Sequence, residues 1–424
     1  MMSQASFAAP SKKPNILFVL ADDLGIECLK TYGGVGHRTP NIDKIAAQGM
    51  RFTHCFSNPF CSPSRASLLT GRYPFENGLK EVLHSRRQEQ LHLSPDQPSF
   101  TRQLKAAGYA TGIAGKWHMS LLHKHNTIND FGFDQYQVWQ IFDKDGKKTK
   151  RFWQPHLNRN GTIIADDVKD RYGPDVDIEF LTNFMAKSIE KKKPFIAYFS
   201  TPLPHFPWEP TPDTPDTEDQ SYRKPHNEHK GKPDYFPGMI RYLDKCVGLL
   251  LQVLEDQGVA DNTVVIFLSD NGTDRDLGNR WGDGRELKGG KGTMTDRGTH
   301  VPLMVSWPGH IKPNSICNDL IDFSDFLPTL CEIAGAPLPK QNIHGKSFVS
   351  QLLGEQGRSR DWVHVQHSRD RHVRTKEFIF NNKGQLRPVV QIWETPAKSR
   401  EDKFSPKERK ARETLKKAFD ILGK

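Results

Sequence analysis

The chain has 424 residues, 36% hydrophobic and 26% charged, a balance that excludes global disorder and supplies a core too large for one small domain. Its formal charge of +10 favours anionic partners without naming one, and no basic stripe interleaved with aromatics points to nucleic acid. Six scattered cysteines exclude a disulfide framework or a cysteine-rich zinc site, and no apolar run is long enough to span a membrane.

Residues 1–13 read as an N-terminal extension that lacks the apolar core of roughly 7–15 residues required of a secretory signal. Asn15–Ala21 is apolar without alternation, which predicts a strand buried on both faces of a mainly parallel sheet, and it ends abruptly in Asp22-Asp23. Next comes the dodecad Cys61-Ser62-Pro63-Ser64-Arg65-Ala66-Ser67-Leu68-Leu69-Thr70-Gly71-Arg72. Its proline suits a first helical turn, so residue 61 would sit at a helix amino end, where dipole and free amides favour an oxyanion and equally a plain thiolate. Further apolar runs at Tyr109–Ala114, Phe195–Ser200, Thr263–Ser269 and Val301–Trp307 predict strands with helices between them. Tyr242, Val247, Leu250, Leu251 and Leu254 mark one such helix, stopped by Gly258.

From about Pro337 the character changes. Arg371–Phe380 predicts a strand running into a hairpin turn at Asn381–Gly384, and Ser405-Pro406-Lys407-Glu408 predicts a capping box for a final helix. Residues 398–424 carry ten Lys or Arg against five Asp or Glu, the pattern of a solvated helix face. The expected architecture is a large doubly wound α/β domain over 14–336, with a small C-terminal α+β subdomain, hairpin plus terminal helix, over 337–424.

In such sheets ligands bind beyond the carboxyl ends of the strands. The residues just past those ends are Asp22 and Asp23, Lys116 and His118, His205, and Asp270 and Asn271. Asp-Asp could merely cap a helix and Ser269-Asp270-Asn271-Gly272 could merely turn, yet oxygen donors at two ends of one sheet read better as a calcium or magnesium site.

The dodecad resembles the signature of the formylglycine-dependent sulfatases, in the alkaline phosphatase superfamily; a C-x-P-S-R match arises by chance in a chain this long with odds on the order of one in a thousand. Ala21-Asp22-Asp23, Gly115-Lys116-Trp117-His118, Pro204-His205-Phe206-Pro207, Ser269-Asp270-Asn271-Gly272 and Gly290-Lys291-Gly292-Thr293 resemble further motifs of that family, in its order. The resemblance runs from about Pro14 to Gly354. It implies that Cys61 is oxidised to formylglycine by a formylglycine-generating enzyme, and that the hydrated aldehyde attacks the sulfur of a sulfate ester, on a sulfated saccharide above all. It implies calcium ligands at Asp22, Asp23, residue 61, Asp270 and Asn271, with magnesium as the alternative ion, and a cation clamp of Arg65, Lys116 and Lys291. His118 would be the base that regenerates the aldehyde, and His205 with Lys291 would assist the leaving alcohol.

The family is usually exported, which implies a periplasmic or extracellular protein, although no signal is visible. Where many members read E-G-G, this chain has Asp296-Arg297-Gly298, and the loop 273–290 carries Arg275, Arg280, Trp281 and Arg285, fit to grip a sulfated sugar or equally to face solvent. The family's aspartate-rich closing hairpin is missing after Gly384. A phosphomonoesterase, phosphodiesterase or phosphonate hydrolase of the same superfamily, and a non-catalytic binder of sulfated polymers, are the alternatives.

Overall fold

The computed structural model describes residues 12–83, 91–214, 222, 231–355, 357, 359–392, 394 and 404–423. Most of the predicted extension therefore lies outside the described residues. Twelve strand segments come first along the chain: β1 (Asn15–Ala21), β2 (Met50–Phe56), β3 (Ala110–Gly115), β4 (Gln135–Trp139), β5 (Leu157–Arg159), β6 (Thr162–Ile163), β7 (Phe195–Ser200), β8 (Thr263–Ser269), β9 (Gly278–Arg280), β10 (Glu286–Lys288), β11 (His300–Ser306) and β12 (Ser315–Asp322). All except β9 and β10, which form a separate hairpin, join one ten-stranded sheet in the order β12-β2-β11-β8-β1-β7-β3-β4-β5-β6.

Period-two alternation explains why β1 is apolar at every position from Ile16 to Ala21. Ile16, Phe18 and Leu20 enter one core cluster while Leu17, Val19 and Ala21 enter another, so the strand is buried on both faces. Helices Cys61–Thr70, Phe100–Ala106 and Phe326–Ala334 contribute to the first cluster, and helices Gly173–Glu190 and Phe236–Asp256 to the second. The sheet is thus doubly wound, as expected.

Strands β8, β1, β7, β3 and β4 run parallel. Strand β11 is antiparallel to both β8 and β2, which leaves β2 running with β8. The carboxyl ends of β2, β8, β1, β7 and β3 consequently share one edge. Everything that follows each of those strands starts there.

The C-terminal part forms a second sheet, β13 (Val363–His367), β14 (Asp370–Arg374), β15 (Phe378–Asn381) and β16 (Leu386–Pro388), antiparallel in sequence order. The single strand expected over Arg371–Phe380 is two strands. Thr375 breaks it: its hydroxyl accepts from the Glu377 and Phe378 amides, turning β14 back onto β15. The turn at Asn381–Gly384 joins β15 to β16, and the helix Pro406–Ile421 starts in the expected capping box between Ser405 and Glu408. Leu415 of that helix closes a small apolar cluster with Val373, Phe378, Phe380 and Leu386. Phe348, Val349 and Leu352 pack into the main core.

Candidate active site

Cys61 is the first residue of a ten-residue helix that is buried throughout and ends at Gly71 in the left-handed conformation. Its thiol Sγ lies 3.1 Å from His118 Nδ1. The other ring nitrogen of His118 faces the Leu83 carbonyl at 2.5 Å, so Nε2 carries the proton and Nδ1 presents a lone pair to position 61. Burial, and then the Lys116 charge, hold the imidazole well below its ordinary range, which keeps it neutral.

The thiol itself is not activated. Burial pushes its pKa up despite the charges of Lys116 and Lys291, so the helix amino end does not make it the thiolate that the sequence left open.

Lys116 owes its position to Gly115. At φ +105° that glycine ends β3, and a Cβ there would come 2.1 Å from the Ser200 carbonyl oxygen at the end of β7. The close approach lets the Lys116 amide donate to the same oxygen, and the side chain turns inward to Asp22 with Nζ 2.6 Å from Oδ2. Arg65, wholly buried, donates from Nε to Asp270 Oδ2 at 2.9 Å and from Nη1 to the Lys116 carbonyl and the Ser200 hydroxyl. Lys291 Nζ is 2.6 Å from Asp23 Oδ2 and 2.9 Å from His205 Nε2. Its turn is tied on both sides: the Lys291 amide donates to the Thr273 carbonyl and the Gly292 amide to the Pro59 carbonyl.

Asp22, Asp23, Asp270 and Asn271 lie side by side with almost no exposure. Asn271 Nδ2 donates to Asp23 Oδ1, and the Asp23 amide to Asp270 Oδ1. Two buried oxygens, Asp22 Oδ1 and Asn271 Oδ1, have no hydrogen-bond partner. Burial would raise the Asp22 carboxyl, but Lys116 foremost, with Arg65 and Lys291, holds it well below the usual range. Burial followed by the neighbouring Asp22 charge instead pushes Asp270 up to about 7 in spite of Arg65, and burial also raises Asp23. Orphaned hard oxygens beside buried carboxyls are a donor set that could hold a divalent cation. Asp22, Asp23 and His205 also present ligand atoms within 4.8 Å of one another, but the His205 nitrogen in reach is engaged by Lys291, which favours the all-oxygen set.

His205 donates from Nδ1 to the Phe206 carbonyl, leaving Nε2 to accept from Lys291. Burial and Lys291 keep it neutral, whereas Asp23 raises the Lys291 ammonium against its burial. The pair therefore offers its proton from lysine.

These groups open into a cavity of about 220 Å³ lined by Cys61, Lys116, His118, His205 and Lys291, and also by Trp139, Ile141, Lys148 and Arg151. A cavity of about 260 Å³ between Thr295 and the C-terminal sheet is larger, but it holds no predicted nucleophile. The expected site residues thus lie together, with the residue 61 sulfur against His118. Arg275, Arg280, Trp281 and Arg285 line neither cavity, and Trp281 packs on the Gly33 backbone; Arg297 lines the larger one. Lys148, Arg151 and Ser200 went unread in the sequence. Ser200 had a signal, a polar residue ending a buried strand, whereas the two cations follow a polar hairpin with no motif.

Residues 14–336 match a family model described as Sulfatase. Arylsulfatase A from Homo sapiens is 30% identical over 377 residues, covering 84% of this chain and 70% of that protein. N-acetylgalactosamine-6-O-sulfatase from Bacteroides thetaiotaomicron is 29% identical over 432 residues, covering 83% and 79%. Among solved structures, Ps i-CgsB in complex with k-i-k-neocarrahexaose superposes with a TM-score of 0.74 at 26% identity, covering 89% of this chain and 86% of that one.

Proposed function

The chain belongs to the sulfatase family, and from that premise we propose that it hydrolyses sulfate esters of a sulfated carbohydrate at the Cys61 cavity. Sulfatases are sulfuric ester hydrolases, and the saccharide class is suggested by relatives named for acting on sulfated N-acetylgalactosamine. The observation that carries the reading is Cys61 Sγ at 3.1 Å from the neutral acceptor His118 Nδ1, at a helix amino end beside the carboxylate edge.

Asp22, Asp23, Asp270 and Asn271 would hold a calcium ion, for which the two orphaned oxygens and the raised carboxyls argue. Bound there, calcium would polarise the sulfate and offset its charge, and a hydrated formylglycine made from Cys61 by its generating enzyme would supply the attacking hydroxyl. The chain's own groups do the rest. His118 Nδ1 accepts a proton from residue 61. Lys116 brings positive charge to the sulfate oxygens while fixing Asp22. Lys291, kept protonated by Asp23, donates to the leaving oxygen, and His205 Nε2 aims it. The match ending at residue 336 supports a catalytic unit over 14–336, with 337–424 as a smaller unit built on its own apolar cluster.

The test pairs mass spectrometry of the peptide carrying residue 61 with parallel assays on aryl sulfate and aryl phosphate, using protein matured with the modifying enzyme. Aldehyde at residue 61, sulfate turnover well above phosphate turnover and loss of activity in Cys61→Ala are expected. Preferential phosphate turnover, or full activity without residue 61, would sink the reading.

A further inference from the structure

Two cations of the cavity are each met by a carboxylate, Lys116 by Asp22 and Lys291 by Asp23; Arg65, outside the cavity lining, is met by Asp270. Two others are not. Lys148 and Arg151 line the same cavity, and neither makes an ion pair with a carboxylate among the described residues. Arg151 is 5% exposed, its Cζ lies 4.3 Å from the centre of the Trp139 ring, and Nη2 donates to the Phe206 carbonyl. Its Nε is buried with no partner at all. A guanidinium so enclosed leaves a donor unsatisfied unless a ligand accepts from it.

Lys148 reaches the cavity from the hairpin after β4, where it bridges to Phe142 and where Thr149 is fixed to the Trp139 indole at 2.8 Å. The residue, which carries its amine at the end of an exposed side chain, is part of the cavity lining. Shielding of that amine, together with the facing charges of Arg151, Lys116 and Lys291, brings its pKa down to about 8. Arg151, Lys116 and Lys291 all repel its charge, and an added anion would relieve them.

We propose that Lys148 and Arg151 form a second anion locus beside the reacting sulfate, one that takes a further sulfate or a uronate carboxylate on the same saccharide. The proposal rests on the sulfatase reading and narrows its substrate to doubly anionic sugars. A planar guanidinium and a mobile ammonium suit either anion, the guanidinium by parallel donors and the ammonium as a point charge.

Inhibition of aryl sulfate turnover by the mature, calcium-loaded enzyme tests it, because inhibition reads binding whether or not the sugar is cleaved. The inhibitors are a disulfated hexosamine, a monosulfated hexosamine linked to a uronate, and a neutral monosulfated hexose. The inhibition constant of at least one doubly anionic sugar should be about tenfold below that of the neutral one, and Lys148→Gln should erase most of that ratio. The better of the two inhibitors identifies the anion. Lys147→Gln, one residue away and outside the cavity lining, should preserve the ratio. Equal inhibition by all three sugars, or a ratio kept in Lys148→Gln, overturns the locus. Absence of aryl sulfate turnover by the wild-type enzyme instead removes the sulfatase reading, and the locus falls with it.

Discussion

Arg65 sends Nε and Nη2 to one oxygen of Asp270 and Nη1 to the Lys116 carbonyl and the Ser200 hydroxyl, so a single guanidinium ties the ends of β8, β3 and β7. A lysine carries its charge at one point and cannot span those three partners. Arg65→Lys should therefore fold, melt several degrees lower and lose on the order of 100-fold in kcat/KM on aryl sulfate, as preorganised charge is lost. Thermal melts and steady-state kinetics check this; activity within threefold of wild type would mean that Arg65 is only a helix residue. At this scale the sequence was legible wherever chemistry demands uncommon strings, as at Cys61–Arg65 or Asp270-Asn271. It was silent on Lys148 and Arg151, because a cation after a polar hairpin is the ordinary sequence of a solvated loop. Only the fold of that hairpin against Trp139 turns those two inward.

Strand ends deliver the site, and β3 delivers its part through a backbone that no side chain allows. Gly115→Ala would need φ near +105° and a Cβ 2.1 Å from the Ser200 carbonyl, a backbone atom that cannot step aside. The left-handed conformation costs about 1–3 kcal/mol for a residue with Cβ, and the clash adds to it. The variant should lose several degrees in Tm and most of its activity together, since Lys116 follows directly. Undiminished turnover with an unchanged Tm would show that β3 can reach β7 another way. The strands carrying this edge were readable because burial on both faces leaves unbroken apolar runs at 16–21 in β1, 195–199 in β7 and 264–268 in β8. Strand β2 was harder: half-buried positions at Arg51, Thr53 and His54 break its apolar run. The division of Arg371–Phe380 was hidden for a related reason. Thr375 is at home in a strand, and what makes it a turn is the pair of amides its hydroxyl captures.

Across the whole molecule, the C-terminal sheet is held on the main body by buried polar contacts as well as by the apolar group Phe56, Leu320 and Val363. Arg374 of β14 pairs with Asp296, Arg360 with Asp325, and the His364 amide donates to Asp322. Neutral histidines are packed into the same junction. Burial, then the Arg374 charge, lowers His372 from 6.5 to about 3 in spite of Asp296; burial foremost lowers His300 to about 4. A histidine whose folded pKa lies below its unfolded one leaves the unfolded chain with more bound protons between those values, so its contribution weakens as pH falls through that window. Several buried carboxyls run the opposite way, among them Asp177 and Glu209, each pushed up mainly by burial to about 8, so the full stability curve mixes both signs. Comparing wild type with His372→Gln cancels the shared carboxyls and leaves one histidine. Asp296, held below its ordinary 3.8 by Arg374 against its burial, stays charged down to that value and enters only in stronger acid. Between pH 7.5 and pH 4.5, urea unfolding should therefore shift the stability difference in favour of the variant by on the order of 2 kcal/mol. A difference that does not move with pH would mean that His372 is protonated in the folded protein and that the junction holds a charged, not a neutral, ring.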